Sequence, residues 1–466
     1  MSIQNLEDTI AAIATPVGQG GIGLVRVSGK KALAIADALF VSARACRPSD
    51  FQTHSVHYGR IVHRQGEREE IIDEVLLTVM KAPQSYTCED VVEISCHGGL
   101  IVVRKILELA LQQGARLAGP GEFTQRAFLN GRMDLTQAEA VQDIIQAKTE
   151  SFLKVGVQQL KGDLLLELEA IREALMEVYT ELEAIVNFPE DDLVASQQTE
   201  LSQKVLDAKQ RVERLLASRY QGKILKEGVR IVICGKPNVG KSSLLNTLLR
   251  QPRAIVSAVE GTTRDTIEEW TQIEDLPVQL IDTAGLLEPR DEIEQEAVRR
   301  SHDNIEHADL ILLLMDGSRP LDAQDQKIAK DLQGKKVLLV FNKSDRGIVA
   351  DPRELRAFLP VGEHVSISAL YQHHIEELKS HMVAAVLAGH PFEPGRLIVS
   401  NLRQIESLDQ CLSAVIRAEK YFLEKLSFEF ISEELKIAID HLDQITGKNI
   451  NQDLLDKIFS SFCIGK

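Results

Sequence analysis

Apolar and polar positions follow two rhythms in the first part of the chain. Ile22 to Val27, Glu74 to Met80 and Val91-Val92-Glu93-Ile94-Ser95 have the spacing of strands, and Ile101 to Gln113 that of a helix. Residues 1–130 therefore read as a small α/β domain. Glu93 alternates with Val92 and Ile94, which puts it on the sheet face opposite them; on spacing alone that face is solvated. The Pro120-Gly121 turn leads into a short helix that Asn130-Gly131 stops. From Asp134 a run of helix formers continues to about Ala184. Within it Leu164, Leu168, Ile171, Leu175, Val178, Leu182 and Ile185 alternate spacings of four and three, a seam along which helices pack as in a bundle core. Phe188-Pro189-Glu190-Asp191-Asp192 ends the run, and a second long helix is predicted over 197–225. Apolar strands at α/β spacing recur at Val229 to Cys234, Val278 to Ile281, Leu310 to Met315 and Lys336 to Phe341. Beyond His390-Pro391 the pattern is helical again. Helical sequence on both sides implies that the α/β block, 228–386, is inserted into one helical domain made of 131–227 and 387–466. The expected class is thus multidomain, α/β plus all-α.

Length supports that division, since 466 residues exceed what one core usually holds. Hydrophobic content of 44% and charged content of 26% are those of an ordinary soluble protein. No apolar run reaches a bilayer span, and the N-terminus lacks the basic-then-apolar layout of a secretion signal. A cytoplasmic protein with no membrane partner is expected. The cysteines at 46, 88, 96, 234, 411 and 463 form no C-x-x-C pair, so neither a zinc site nor a disulfide framework is predicted. A formal net charge of −16 argues against broad adhesion to nucleic acid, DNA included. It leaves room for a local basic patch, or for an RNA site completed by a partner. Gly18, Gly20, Gly21 and Gly23 approach Arg26 without forming G-x-G-x-x-G, so no dinucleotide fingerprint is claimed.

The strongest chemistry lies in Gly235-Lys236-Pro237-Asn238-Val239-Gly240-Lys241-Ser242, which fits G-x-x-x-x-G-K-[ST] between a predicted strand and a predicted helix. Its glycines let backbone N–H groups turn inward to hold phosphate oxygens, with Ser243 next in the helix. Lys241 would reach the β- and γ-phosphates and the Ser242 hydroxyl would be a magnesium ligand. Four further elements fall in the order of a guanine-nucleotide domain. Asp282-Thr283-Ala284-Gly285 ends a strand, with Asp282 placed to hold magnesium through water and the Gly285 N–H to sense the γ-phosphate. Asn342-Lys343-Ser344-Asp345 ends another, and Asp345 can accept two hydrogen bonds that guanine offers and adenine cannot. Ser368-Ala369-Leu370 fits the loop that backs the base. In Gly261-Thr262-Thr263-Arg264-Asp265, a polar switch loop, Thr263 can complete the magnesium shell. The set selects GTP. The hydrolytic step departs from the Ras-like scheme, because Leu286 stands where Ras-type proteins orient water with glutamine. Glu294 is a candidate base, although a glutamate on a switch helix is ordinarily a solvated surface residue.

Over essentially its whole length the chain resembles the MnmE family of tRNA-modification GTPases, also called TrmE. The resemblance rests on Gly119–Arg132, the Gly235–Asn246 and Gly261–Asp265 elements, and Phe462-Cys463-Ile464-Gly465-Lys466, which matches a C-[ILV]-G-K ending. It implies an N-terminal α/β domain that dimerises and binds 5-formyltetrahydrofolate, and a helical domain interrupted by a Ras-like P-loop G domain. It implies a potassium ion held by Asn238, by carbonyls of Ser257 and Val259 and by Thr262, with Ala258, Glu260 and Gly261 counted in the same nucleotide-facing loop. A cation there supplies charge at the β–γ bridge that the sequence otherwise lacks. The water-positioning glutamate falls on Glu294, and folate contacts fall on Arg26, Glu93, Arg132 and Lys466. Arg132 stands where some members have lysine, which keeps the charge but alters the contact geometry. Cys463 would assist one-carbon transfer if its thiol were activated, with Lys466 as the nearby cation; without the motif it reads as an inert tail thiol. The implied partners are a second copy of the chain, the FAD-dependent protein MnmG and tRNA. The rival is a ribosome-assembly GTPase that binds rRNA, but such a factor has no use for the folate-type residues or the cysteine, and no KH-like G-x-x-G loop follows the G domain. A structural dimerisation protein with a vestigial G domain is disfavoured because every nucleotide element is intact.

Overall fold

The computed structural model describes residues 7–16, 18–43, 45–66, 68–187, 195–249, 268–282, 299, 303–359, 364–387 and 397–466. The chain divides into two compact units, one of Met1–Gln142, Gln159–Ala208 and Ser413–Lys466, the other of Asp143–Gln158 and Lys209–Leu412.

The first unit is built on strands β1 (Ile10–Ile13), β2 (Ile22–Ser28), β3 (Phe40–Ser42), β4 (Ser55–Gln65), β5 (Arg68–Met80), β6 (Val91–His97) and β7 (Arg116–Leu117). Their order is β3-β4-β5-β6-β2-β1-β7. Helices Ala32–Leu39 and Leu100–Gln112 cover one face, where Val25, Val27, Val92, Ile94, Ile35 and Ile106 share a core. The period of two in β6 sends Glu93 to the other face, half-buried rather than solvated. β5 begins at Arg68, earlier than its apolar pattern suggests. That polar half is held by the hairpin with β4, down to Gln65 opposite Arg68, and by Arg64 donating to Glu69 at 3.1 Å.

The helical run after Asp134 is not continuous. It forms helices Leu135–Gln146, Glu150–Lys161 and Asp163–Asn187. Gly162, at φ 92°, breaks it where an L side chain would be strained. The Thr149 hydroxyl takes the Phe152 N–H at 3.2 Å and starts the helix after the other break. Leu164, Leu168, Ile171, Leu175, Val178 and Leu182 are buried as the seam predicts, against the helix Phe428–Thr446 with its buried Ile431, Leu435 and Leu442. Arg172 clamps the pair through two bonds to the Asp443 carboxylate, at 2.5 and 3.1 Å.

The second unit holds β8 (Val229–Cys234), β9 (Glu268–Ile273), β10 (Leu276–Asp282), β11 (Leu310–Asp316), β12 (Val337–Asn342) and β13 (His364–Ser366) in the order β13-β12-β11-β8-β10-β9. All neighbours are parallel except β9 with β10. β11 is buried at every position because both faces are covered, which is why it reads as an unbroken apolar run. Its even residues, Leu310, Leu312 and Leu314, enter one core, and Ile311, Leu313 and Met315 enter the other. β9 escapes the apolar pattern because, among the described strands, it lies at the sheet edge and pairs with β10 alone. The long helix predicted over 197–225 is two, Ala195–Leu216 and Arg219–Glu227. Between them Ser218 donates to the Leu215 carbonyl at 2.6 Å and accepts from the Val399 N–H at 3.0 Å. Among the described residues no helix is long and apolar enough to cross a membrane.

Candidate functional site

The parallel strands β10, β8, β11, β12 and β13 of the second unit all end on the same side of their sheet, which is where an open α/β fold carries its ligand crevice. The loop after β8 turns there and enters the helix Lys241–Leu249. Gly235 has φ 146°, and a Cβ on it would meet the Leu314 carbonyl oxygen at 2.2 Å. Gly240 has φ 103°, and its Cβ would meet Asn342 Nδ2, also at 2.2 Å. Both positions require glycine for conformation and for close approach. Asn238 adopts φ 64°, a left-handed conformation that asparagine tolerates, and its exposed side chain has no hydrogen-bond partner among the described residues. Val239 between them is fully buried and pins the loop.

Lys241 Nζ donates to the carbonyls of Gly235 at 3.0 Å and Lys236 at 3.1 Å. Burial pushes its pKa down, against the upward pull of the Asp282 charge. Asp282, at the end of β10, is pushed the other way by burial, with Lys241 and Ser242 resisting. Ser242 Oγ lies 3.3 Å from Asp282 Oδ2, while Oδ1 is buried with no partner among the described residues. A buried carboxylate oxygen without a partner, beside a serine hydroxyl, is a donor set suited to a hard cation. Ser243 is exposed in the first turn of the helix.

The guanine-reading elements meet the same loop. Asn342 ends β12, is almost fully buried, and donates from Nδ2 to the Val239 carbonyl at 2.8 Å. Its Oδ1 accepts the Ala369 N–H at 2.9 Å. One amide thus ties the phosphate loop to the base loop. Lys343, at φ 66°, donates to Asp316 Oδ2 at 2.7 Å. Burial pushes the Asp316 carboxyl up, but the bonds from Lys343 and Ser318 outweigh it and hold the pKa at about 2. Asp345 is exposed, with Oδ1 taking the Ser368 hydroxyl at 2.6 Å. Leu370 stands out into solvent beside the buried Ala369. Sequence reading missed Asp316 as the anchor of Lys343; the signal available was its place at the end of an apolar strand.

A second constellation lies in the first unit. β2 and β6 run antiparallel with Arg26 directly opposite Glu93, and Arg26 Nε donates to Glu93 Oε1 at 2.8 Å. Arg26 Nη1 reaches the Gly465 carbonyl at 2.9 Å, which brings the chain end onto the sheet. There Pro120 and Ile464 form a bridge, and Gly121 donates its N–H to the Cys463 carbonyl at 3.3 Å. The rings of Phe123 and Tyr86 lie 5.5 and 5.7 Å from the Arg26 guanidinium, and Arg132 is 4.8 Å over Tyr86 while donating to its carbonyl at 2.8 Å. Burial pushes the Lys466 pKa down, as does Arg26, with Glu93 pulling it up. Arg26, Glu93, Arg132 and Lys466 are therefore gathered, with Tyr86 between the arginines as a member that sequence reading did not find. The Cys463 thiol is exposed.

A family model described as the MnmE helical domain matches residues 135–463, and one described as the N-terminus of the GTP-binding protein TrmE matches 9–132. The chain belongs to the MnmE family. The tRNA modification GTPase MnmE of Natranaerobius thermophilus is 42% identical over 460 residues, covering 99% of this chain and 100% of that one. The MnmE of Geobacter sulfurreducens is 44% identical over 463 residues, with 99% and 100% covered. Among solved structures, Era of Aquifex aeolicus bound to GDP and aluminium fluoride is 29% identical, covering 40% of this chain and 66% of that one, at a TM-score of 0.28. Several positions expected from the nucleotide motifs or from the MnmE resemblance, namely Ser257, Ala258, Val259, Glu260, Gly261, Thr262, Thr263, Thr283, Ala284, Gly285 and Glu294, lie outside the described residues.

Proposed function

We propose that this MnmE-family chain hydrolyses GTP in the service of modifying C5 of the wobble uridine in certain tRNAs. The finer reading is a homodimer in the cytoplasm, working with the FAD-dependent MnmG and a one-carbon folate such as 5-formyltetrahydrofolate to add a carboxymethylaminomethyl-type group. The observation that carries the GTP reading is Asn342, whose one amide joins the phosphate loop at Val239 to the base loop at Ala369.

In this reading Lys241, seated by its two carbonyl partners, also meets β- and γ-phosphate oxygens, whose negative charge favours its ammonium form more strongly than neutral carbonyls do. Ser242 would hold magnesium directly and Asp282 through water, and the bound ion supplies neutralisation of developing phosphate charge. Asp345 keeps an oxygen available for the guanine N–H edge. Asn238, whose side chain has no hydrogen-bond partner among the described residues, would turn toward a potassium ion, in company with Ser257, Val259 and Thr262; Thr263 would complete the magnesium shell and Glu294 would orient the attacking water. Arg26, Arg132 and Lys466 suit the anionic and carbonyl groups of a folate, and Glu93 its pterin N–H edge. Cys463 lies on the segment that Arg26 holds, an accessible thiol for one-carbon transfer. Residues 1–130, 131–227 with 387–466, and 228–386 are proposed as the folate, helical and G domains.

The test is nucleoside mass spectrometry of tRNA from cells lacking the protein. Loss of a C5-modified wobble uridine, restored by the wild-type gene, is expected. An unchanged profile with defective ribosome assembly would instead favour an rRNA-binding GTPase. Potassium dependence is read separately: hydrolysis equally fast in sodium would remove the ion from Asn238.

A further inference from the structure

The side chain of Lys236, the residue after the first loop glycine, takes no part in the chemistry above, yet two carboxylates hold it. Its ammonium donates to Asp322 Oδ2 at 2.6 Å and to Asp325 Oδ2 at 2.7 Å. The side chains of Lys236 and Asp325 are each 7% exposed, whereas Asp322 is largely in solvent. Asp322 is the N-cap of the helix Ala323–Asp331, and the two aspartates form a capping box. Asp322 Oδ1 takes the N–H groups of Gln324 and Asp325, at 2.9 and 3.1 Å, and Asp325 Oδ2 takes the Asp322 N–H at 3.1 Å. Asp325 Oδ2 thus accepts from the cap and from the loop lysine together. Burial pushes the Lys236 pKa down, but both carboxylates outweigh it and the ammonium stays charged.

The main chain of the same residue is fixed as well. The Lys236 carbonyl and that of Gly235 are the two acceptors that seat Lys241 Nζ. One residue therefore has its side chain anchored in a helix terminus and its peptide beneath the phosphate-binding ammonium. A buried ion pair adds little net stability over apolar packing of the same volume, because desolvation offsets attraction, whereas it fixes direction and distance tightly.

We propose that Lys236 is a positioning residue for nucleotide binding: its ion triad with Asp322 and Asp325 fixes the first half of the phosphate loop, so that the Gly235 and Lys236 carbonyls present Lys241 to the phosphates. This rests on reading the loop as a GTP site. Lys236→Met leaves two carboxylates facing each other without a cation, and the loop loses its anchor. Lys236→Arg keeps a cation with more than one donor and restores it.

The experiment is binding and release of mant-GDP by the full chain, in stopped flow, beside thermal unfolding without nucleotide. Lys236→Met is expected to raise Kd about tenfold or more, the loss of a charged hydrogen-bond anchor, chiefly through faster release. Lys236→Arg is expected to recover most of it, and Asp325→Asn to add little on top of Lys236→Met. Ile328→Val, in the buried face of the same helix, is a control for a loosened helix. A Kd for Lys236→Met within twofold of wild type overturns the proposal. So does an equal loss of affinity in Ile328→Val at an equal fall in melting temperature. Wild-type protein that fails to bind mant-GDP overturns the GTP reading instead.

Discussion

Replacing Asn342 with alanine tests whether the phosphate and base loops are one mechanical unit. The side chain is buried, and it is the partner of the Val239 carbonyl and of the Ala369 N–H, on residues that are 0% and 4% exposed. Deleting it leaves one buried acceptor and one buried donor without partners. Each such group costs about 1–3 kcal/mol, so about 2–6 kcal/mol is expected, with the lower end set by water entering the vacated space. Asn342→Asp keeps the acceptor for Ala369 but sets a carboxylate oxygen against the Val239 carbonyl, so it is expected to be worse than alanine at neutral pH. The chain has a single tryptophan, Trp270, and it lies in β9 of this same sheet, so its fluorescence during urea unfolding reports on this unit. Affinity for mant-GDP is the second readout and is expected to fall at least about tenfold, since both halves of the site move. A loss below about 0.5 kcal/mol in Asn342→Ala, with affinity kept, would refute the reasoning: that is the range of an ordinary surface substitution.

Three further outcomes are expected. Asp316 has its pKa held at about 2, below its ordinary 3.8, so its pair with Lys343 stabilises the fold above pH 3.8 and is lost as pH falls toward 2. The destabilisation of Asp316→Asn relative to wild type, in Trp270 melts, should therefore shrink through that window; a constant gap would contradict it. Asp282→Asn removes the charge beside Ser242, and hydrolysis of GTP at saturating magnesium should fall about 10²-fold, with unfolding little changed because Oδ1 has no described partner to lose. Gly121→Ala forces a side chain into φ 63° and sets its Cβ 2.8 Å from the Phe459 carbonyl oxygen. A loss of about 2–4 kcal/mol by thermal unfolding is expected, together with faster carboxypeptidase trimming of the tail, and unchanged trimming would count against tail docking through this turn.

Much of this was legible from short-range pattern. The alternation of Val91 to Ser95, the unbroken apolar run of β11 and the seam from Leu164 to Leu182 all lie in the described structure where periodicity placed them. Glycine spacing announced the loop because two of its positions need conformations and clearances that a Cβ forbids. Each of these is a pattern readable within a turn or two of chain, because the period of a helix or strand decides which residues share a face, whatever distant element later covers it. Edge strand β9 and the polar half of β5 did not follow from pattern, since pairing with a neighbour rather than burial holds them.

What needed the folded molecule is of another kind. Arg26 meets the Gly465 carbonyl across 439 residues, and Asn342 meets Val239 across 103. Lys236 finds Asp322 and Asp325 at separations of 86 and 89. No local signal marks such partners, because a lysine or aspartate is equally at home in water until a distant strand end closes over it. Burial then makes the difference. Once solvent is excluded, an unpaired charge or amide is costly, so the chain topology, rather than the residue's neighbours in sequence, decides which partner satisfies it.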